Sequence, residues 1–167
     1  MNYIYELKCL PEDKRHLAGG KANSLSYMMK NTKIRIPEGH VILADAVSDG
    51  RLKEEALAEL ESLCKKLDGN VTYAVRSSAL NEDGSENSFA GQYETVTDVR
   101  LGDIPKAVQT VIDSAGNERV REYIKDGDTS GIGIVIQRFV KPQFAGVVFT
   151  SDVFTGADDH LTGNFVQ

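Results

Sequence analysis

The chain has 167 residues and a net charge of −6, with 41% hydrophobic and 26% charged residues, which is the composition of an ordinary globular protein. The acidic balance argues against a nucleic-acid-binding surface, which is normally basic. No run approaches the roughly 20 apolar residues of a membrane span, and the first residues lack the pattern of a secretory signal. Cys9 and Cys64 fit no metal or redox spacing, so we expect a reducing, cytoplasmic compartment.

The N-terminal part of the sequence predicts two helices and three strands. Apolar residues recur at helical spacing over about 21–30 and over 51–67, so we expect a helix in each range. Residues 39–43 form a short apolar run that indicates a strand. A buried strand is predicted at 71–75, and the alternating residues 93–99 indicate its antiparallel neighbour.

The C-terminal part of the sequence predicts two further helices followed by two strands. A helix capped by Asp103 carries apolar residues at helical spacing, and a shorter helix is expected around Tyr123. Apolar runs at 131–140 and 144–150 indicate two strands, and residues 141–143 predict a tight, hairpin-like connection between them.

This pattern divides the chain into a first lobe, residues 1–101, and a second lobe, residues 102–167. The helix–helix–strand–strand order of the second lobe predicts a small α+β unit stacked on the first lobe. Residues 162–167 begin what could be one more strand, at which the sequence stops. We therefore expect a truncated fragment of a longer protein.

The segment around Arg76 has the residue types of a phosphate-binding site. An apolar strand leads directly to Arg76, Ser77 and Ser78, and a polar loop that contains Gly91 follows. Arginine offers planar, bidentate donors, and glycine lets backbone N–H groups approach an anion. On residue types alone, a structural salt bridge of Arg76 is an equal alternative, and the two serines either donate to phosphates or cap the turn.

Lys21 is a second candidate for phosphate binding. It follows Gly19 and Gly20 at the start of a predicted helix, where an ammonium group and free backbone N–H groups suit phosphate oxygens. The segment is not a P-loop, because Arg15 replaces the first glycine and Ala22 replaces the serine or threonine that would hold magnesium. On spacing alone, an ordinary glycine turn with a surface lysine is the favoured interpretation.

Several segments together resemble the N-terminal nucleotide-binding domain of phosphoenolpyruvate synthase and of the related rifamycin phosphotransferases. They are residues 19–25, residues 76–79 followed by 88–92, and residues 135–140 followed by 145–150 and 155–156, in the order of that family. The likeness to pyruvate phosphate dikinase is smaller, because the loop of that enzyme is rich in methionine and proline. The family resemblance spans roughly residues 17–156.

The resemblance implies an α+β fold: a two-lobed, ATP-grasp-like domain with mainly antiparallel sheets and flanking helices, truncated at its C-terminus. It implies that Lys21 and Arg76 contact the phosphates of ATP and act in catalysis, while the loop at Gly91 closes over the transferring phosphates. The residues predicted on this basis to bind the phosphates are Gly20, Lys21, Arg76, Ser77, Ser78 and Gly91.

The resemblance also implies an adenine site. Residues 137–140 match the strand whose main-chain groups bind the edge of the base in ATP-grasp enzymes, while apolar side chains enclose the ring. These residues are Gln137, Arg138, Phe139 and Val140. These residues are in any case expected to form a core strand that ends in a turn, and the adenine role would be an addition to it.

The family cleaves ATP, places a phosphoryl group on a histidine of a separate domain, and transfers it to pyruvate or another small acceptor. The resemblance thus implies an ATP-dependent phosphotransferase whose partners are the phosphohistidine and acceptor domains of a parent chain. Magnesium ligands are expected beyond residue 167, so we expect this chain alone to bind ATP weakly and to catalyse nothing. None of the three histidines lies in the Thr-Gly-Gly-rich motif of the family.

Other functions stay open at this stage. The parent is alternatively an antibiotic phosphotransferase, a nucleotide-binding module without catalysis, or a structural domain. An acidic cluster with one histidine suggests a metal site, but a solvated loop is the favoured interpretation, and we predict no metal ligands in this chain. That cluster consists of Asp152, Asp158, Asp159 and His160.

Overall fold

The computed structural model of the protein describes residues 2–80, 95–116, 131–149 and 162–166. The α-helices in these ranges are α1 (Gly20–Asn31), α2 (Glu54–Cys64) and α3 (Ile104–Gly116). The strands are β1 (Ile4–Glu6), β2 (Gly39–Ile42), β3 (Val47–Ser48), β4 (Arg51–Leu52), β5 (Tyr73–Ala79), β6 (Thr95–Val99), β7 (Ile132–Arg138), β8 (Ala145–Phe149) and β9 (Thr162–Val166). Short 3₁₀ turns connect several of these elements.

A five-stranded antiparallel sheet positions most of these elements. Its order is β1-β2-β7-β5-β6. β7 lies in the middle, because it pairs with β2 on one side and with β5 on the other. β3 and β4 form a separate hairpin, and β8 pairs with β9.

One side of the sheet, which we call the α3 face, packs against α2 and α3. Successive residues of a strand point to opposite faces, and Val75, Ile134 and Ile136 point to this one, where they are buried in the larger core. Helix α3 presents an apolar stripe to them at the spacing of a helix face. The stripe consists of Ile104, Ala107, Val108, Val111 and Ile112, all buried.

The opposite side, which we call the α1 face, packs against α1 and the turns before it. Its smaller core contains Val41 of β2, Val135 of β7 and Ala22 of α1. The backbone also comes very close to the sheet here, since a Cβ added at Gly133 would lie 2.9 Å from the carbonyl carbon of Ala18. Small residues therefore set the distance between α1 and the sheet.

The main elements predicted from the sequence are confirmed. Helices are present over residues 21–30 and after Asp103, as the apolar spacing predicted. Strands are present at 39–42 and 95–99. The helix predicted at 51–67 is shorter, because Arg51 and Leu52 belong to the β3–β4 hairpin. The short helix predicted around Tyr123 lies outside the described residues.

Three expectations differ from the structure. β5 does not end at Val75 but continues to Ala79, because β7 pairs with all seven of its residues. β7 and β8 do not form a hairpin, since their partners are β2 and β5 for one and β9 for the other. The sheet also crosses the predicted lobe boundary at 101/102. β7 lies beside β5 in the same sheet, and α3 packs in the core that contains β5.

The described elements form a mixed arrangement of helices and antiparallel sheet, which agrees with an α+β nucleotide-binding domain. None of the helices described has the length and apolar character needed to cross a membrane.

Candidate functional site

Arg76 lies in the middle of β5 and points to the α1 face. Its neighbours across the sheet are Val135 of β7 and Thr95 of β6, and Val135 belongs to the core beneath α1. The side chain is half-buried, and its Nε atom is buried with no hydrogen-bond partner among the residues that the structure describes. A buried donor without a partner is unusual and favours a ligand that accepts a hydrogen bond.

Ser78 lies two residues further along the same strand and on the same face. Its side chain is fully buried, and its Oγ atom accepts a hydrogen bond of 3.0 Å from the backbone N–H of Ala22. This bond attaches the first turn of α1 to β5. The phosphate contact predicted for Ser78 stays a prediction, whereas this bond is the contact that its Oγ makes in the structure.

Lys21 lies in this first turn of α1, immediately before Ala22, and is half-buried. The N-terminal end of a helix carries a partial positive charge, to which a lysine adds a full one. Because the turn rests on Ser78, the structure brings the segment with Gly20 and Lys21 to the side of the sheet that carries Arg76.

Ser77 is placed apart from these residues. It alternates with Arg76 and Ser78 along β5, pairs with Ile134, and is buried on the α3 face. The two serines therefore do not face the same site, although the sequence motif grouped them.

Residues 137–140 lie at the other end of the same strands. Gln137 pairs with Ala74 and points to the α1 face, where its Nε2 atom donates to the Pro37 carbonyl at 2.8 Å. On the α1 face, Arg76 therefore lies between the N-terminus of α1 at one end of these strands and Gln137 at the other. Val140 is exposed.

Two main-chain donors of this segment are already engaged within the protein. The N–H of Arg138 donates to the Glu38 carbonyl at 2.9 Å, and the N–H of Phe139 donates to the Thr72 carbonyl at 2.8 Å. A central strand uses both of its edges for sheet hydrogen bonds, so these two amides are not available to adenine in this structure. Any adenine contact here falls on other groups of the segment.

The structure describes two of the three histidines, His16 and His40. His16 is exposed, and His160 lies outside the described residues. His40 is half-buried in β2, where burial lowers its pKa from the ordinary 6.5 and the carboxylates of Glu6 and Glu38 act in the opposite direction.

Several predicted features fall outside the part of the chain that the structure describes. These are the loop with Gly91 and the acidic cluster of residues 152–160. Within the described ranges, no group of three or more histidine, cysteine, aspartate or glutamate residues is arranged to hold a metal ion.

Comparison with known protein families agrees with the predicted resemblance. Residues 49–166 match the family described as pyruvate phosphate dikinase, AMP/ATP-binding domain. This match covers more than half of the chain, so the protein belongs to that family. Arg76 and residues 137–140 lie within the matched range, whereas Lys21 precedes it.

Individual relatives extend the likeness towards the N-terminus. The prodigiosin synthesizing transferase PigC of Serratia marcescens is 32% identical over 87% of this chain and 19% of its own length. A rifampicin phosphotransferase of Streptomyces sviceus is 28% identical over 92% of this chain and 23% of its own. The phosphoenolpyruvate synthase of Escherichia coli is 38% identical over 63% of this chain and 14% of its own. The chain thus spans less than a quarter of each of these relatives.

Proposed function

We propose that this chain supplies part of the ATP-binding site of a phosphotransferase of the phosphoenolpyruvate synthase type. The observation that carries the proposal is the position of Arg76 and of the first turn of α1 on one face of the sheet. Family membership supports ATP as the ligand, since the matching family is described as an AMP/ATP-binding domain.

In this proposal Lys21 and Arg76 neutralise the phosphates of ATP from two sides. The buried Nε of Arg76 gains the acceptor that it lacks among the described residues, and charge-assisted hydrogen bonds of this kind are short and strong. Gly20 leaves room for the phosphates at the helix terminus, and the loop with Gly91 closes over them. Catalysis by such a site is mainly positioning and charge neutralisation.

The adenine is proposed to lie near residues 137–140, at the far end of β7 from the α1 terminus. Gly133 pairs with Ser78, and Gln137 lies four positions further along the strand, a distance of about 13 Å. A nucleotide extended along the α1 face would place its phosphates and its base at opposite ends of that distance. Ring contacts would come from Phe139 and the exposed Val140.

The remaining parts of the reaction are proposed for the parent protein. Magnesium would be held by residues beyond this chain, and the phosphoryl group would pass through a histidine of another domain to pyruvate, in the cytoplasm. A rifampicin phosphotransferase is the second candidate, because such an enzyme matches 92% of the chain. Relatives with different names share this region, so we expect it to serve a step that they have in common rather than the choice of acceptor.

The test is a calorimetric titration of ATP with magnesium into the wild-type chain and the Arg76→Ala variant. Loss of a charge-assisted contact to phosphate is expected to cost about 2 kcal/mol, or roughly 30-fold in affinity. Arg76→Lys keeps the charge but not the bidentate geometry, so it should recover only part of the affinity.

Arg51→Ala is the matched control, because Arg51 is exposed on the β3–β4 hairpin, which contacts α3. It should bind ATP as the wild type does. Equal affinities of Arg76→Ala and Arg51→Ala would refute the phosphate role of Arg76 and favour a structural module.

A further inference from the structure

We propose that Ser78 is a positioning residue, which fixes the first turn of α1 on the sheet and thereby sets the place of Lys21 relative to Arg76. The proposal rests on the proposed function, because it matters for activity only if these two cations bind phosphate. It assigns Ser78 a role without contact to the nucleotide.

The first argument is that α1 lacks a cap of its own. A helix begins with backbone N–H groups that have no partner within the helix, and the N-cap side chain usually satisfies one of them. Here the N-cap residue is Gly19, which has no side chain to do so. Ser78, from a strand far away in the sequence, accepts from the Ala22 N–H in its place.

The second argument is the close approach of the two backbones. Gly19 has a φ of +80°, and a Cβ at this position would lie 2.6 Å from the Oγ of Ser78 and would overlap its carbonyl oxygen. On the neighbouring strand β7, Gly133 pairs with Ser78. A Cβ at Gly133 would collide with the backbone of Ala18, so glycine is needed here too. Only glycine at both positions lets the turn lie directly against Ser78.

The third argument is the position of Arg76 on the same rigid element. Arg76 and Ser78 lie two residues apart on one face of β5, which is hydrogen-bonded on both sides. One strand therefore carries one phosphate-binding cation and the anchor of the helix turn that carries the other. Because Ser78 is fully buried, it acts through Lys21 and not on the ligand directly.

The experiment is a double-mutant cycle in the full chain, with calorimetric titration of ATP and, separately, of adenosine. The proteins compared are the wild type, Ser78→Ala, Lys21→Ala and the double variant. Removing a helix-capping acceptor leads us to expect that Ser78→Ala weakens ATP binding about fivefold. Adenosine binding should not change, and Ser78→Ala should cause no further loss when Lys21 is already alanine.

Ser26→Ala is the matched control. Ser26 is also fully buried and lies on α1, but its Oγ has no hydrogen-bond partner among the described residues. It should bind ATP as the wild type does. If the alanine variant does not fold, Ser78→Cys replaces the oxygen by a larger sulfur that is a weaker acceptor, and it should likewise weaken ATP binding without changing adenosine binding.

Each other outcome counts against the proposal. Equal ATP affinity of Ser78→Ala and Ser26→Ala would show that the bond does not position Lys21. Additive losses in the double variant would mean that Ser78 contacts phosphate itself, and parallel losses for ATP and adenosine would mean general unfolding. If Arg76→Ala weakens ATP binding while Ser78→Ala does not, only this inference fails. If Arg76→Ala has no effect, the proposed function fails and this inference fails with it.

Discussion

The two faces of the central sheet are built in different ways. The α3 face is closed by large apolar side chains from α2, α3 and the strands. The α1 face has a smaller apolar core, which includes Leu7, Leu10 and Leu43, and adds close backbone contacts and polar groups. Four buried side-chain atoms without a hydrogen-bond partner among the described residues belong to α1, to the turn before it or to the strand beneath it: Arg15 Nε, Asn23 Oδ1, Ser26 Oγ and Arg76 Nε.

This difference suggests that one face mainly stabilises the fold and that the other binds the ligand. Apolar burial is the main source of folding free energy, so the α3 face is expected to supply most of the stability. An unsatisfied buried donor of a charged group costs free energy and is commonly retained where it serves a function, and we apply this reasoning to Arg76 Nε. The α1 face, which also carries Lys21 and Arg76, is therefore the expected ligand face.

The largest effect is expected from a cavity on the α3 face. Leu60 of α2 is fully buried, and Leu60→Ala should lower the free energy of unfolding by about 4 kcal/mol, measured by urea denaturation. Leu57→Ala, on the same helix at 41% exposure, is the control and should change it far less. A similar cost for both variants would mean that α2 does not close this core. Affinity of the remaining folded protein for ATP should not change.

A smaller but still large effect is expected from the close contact on the α1 face. Gly133→Ala places a Cβ against the backbone of Ala18, which cannot move as a side chain could, so we expect a loss of about 3 kcal/mol in urea denaturation. Gly102→Ala is the control, because a Cβ there meets open space. If Gly133→Ala is as stable as Gly102→Ala, α1 does not lie against the sheet as described.

The smallest effect is expected from pH. Burial lowers the pKa of His40 below 6.5, so the unfolded chain takes up a proton more readily than the folded protein. The stabilisation by neutral His40 is therefore present above pH 6.5 and is lost as the pH falls through the lowered pKa. Compared with His40→Gln, the wild type should lose stability as the pH falls below 6.5 in thermal unfolding experiments.

The spacing of apolar residues predicted the helices well, because the apolar stripe of each helix packs into the core. The extension of β5 through Arg76, Ser77 and Ser78 was missed, since polar residues after an apolar run resemble a loop. Their partners in β7 are distant in the sequence, and only that pairing shows these residues to be in a central strand. The β3–β4 hairpin could have been found, because Asp49-Gly50 is a typical two-residue turn, and both residues have positive φ.

The candidate site was predictable in part. The motifs located Arg76 and Lys21, but not the face to which each neighbouring residue points. Alternation separates Ser77 from Ser78 once the strand is known to continue past them. The bond from Ala22 to Ser78 has no signal in a single sequence, since the two residues are 56 positions apart.

The most direct test of the central claim is a nuclear magnetic resonance titration of the ¹⁵N-labelled chain with ATP, with adenosine as the comparison. The account predicts that ATP, and not adenosine, shifts the backbone amide signals of residues 19–22 and 76–78. Signals of α3 (Ile104–Gly116) should hardly change. Shifts concentrated on α3, or identical shifts with both ligands, would contradict a phosphate site on the α1 face.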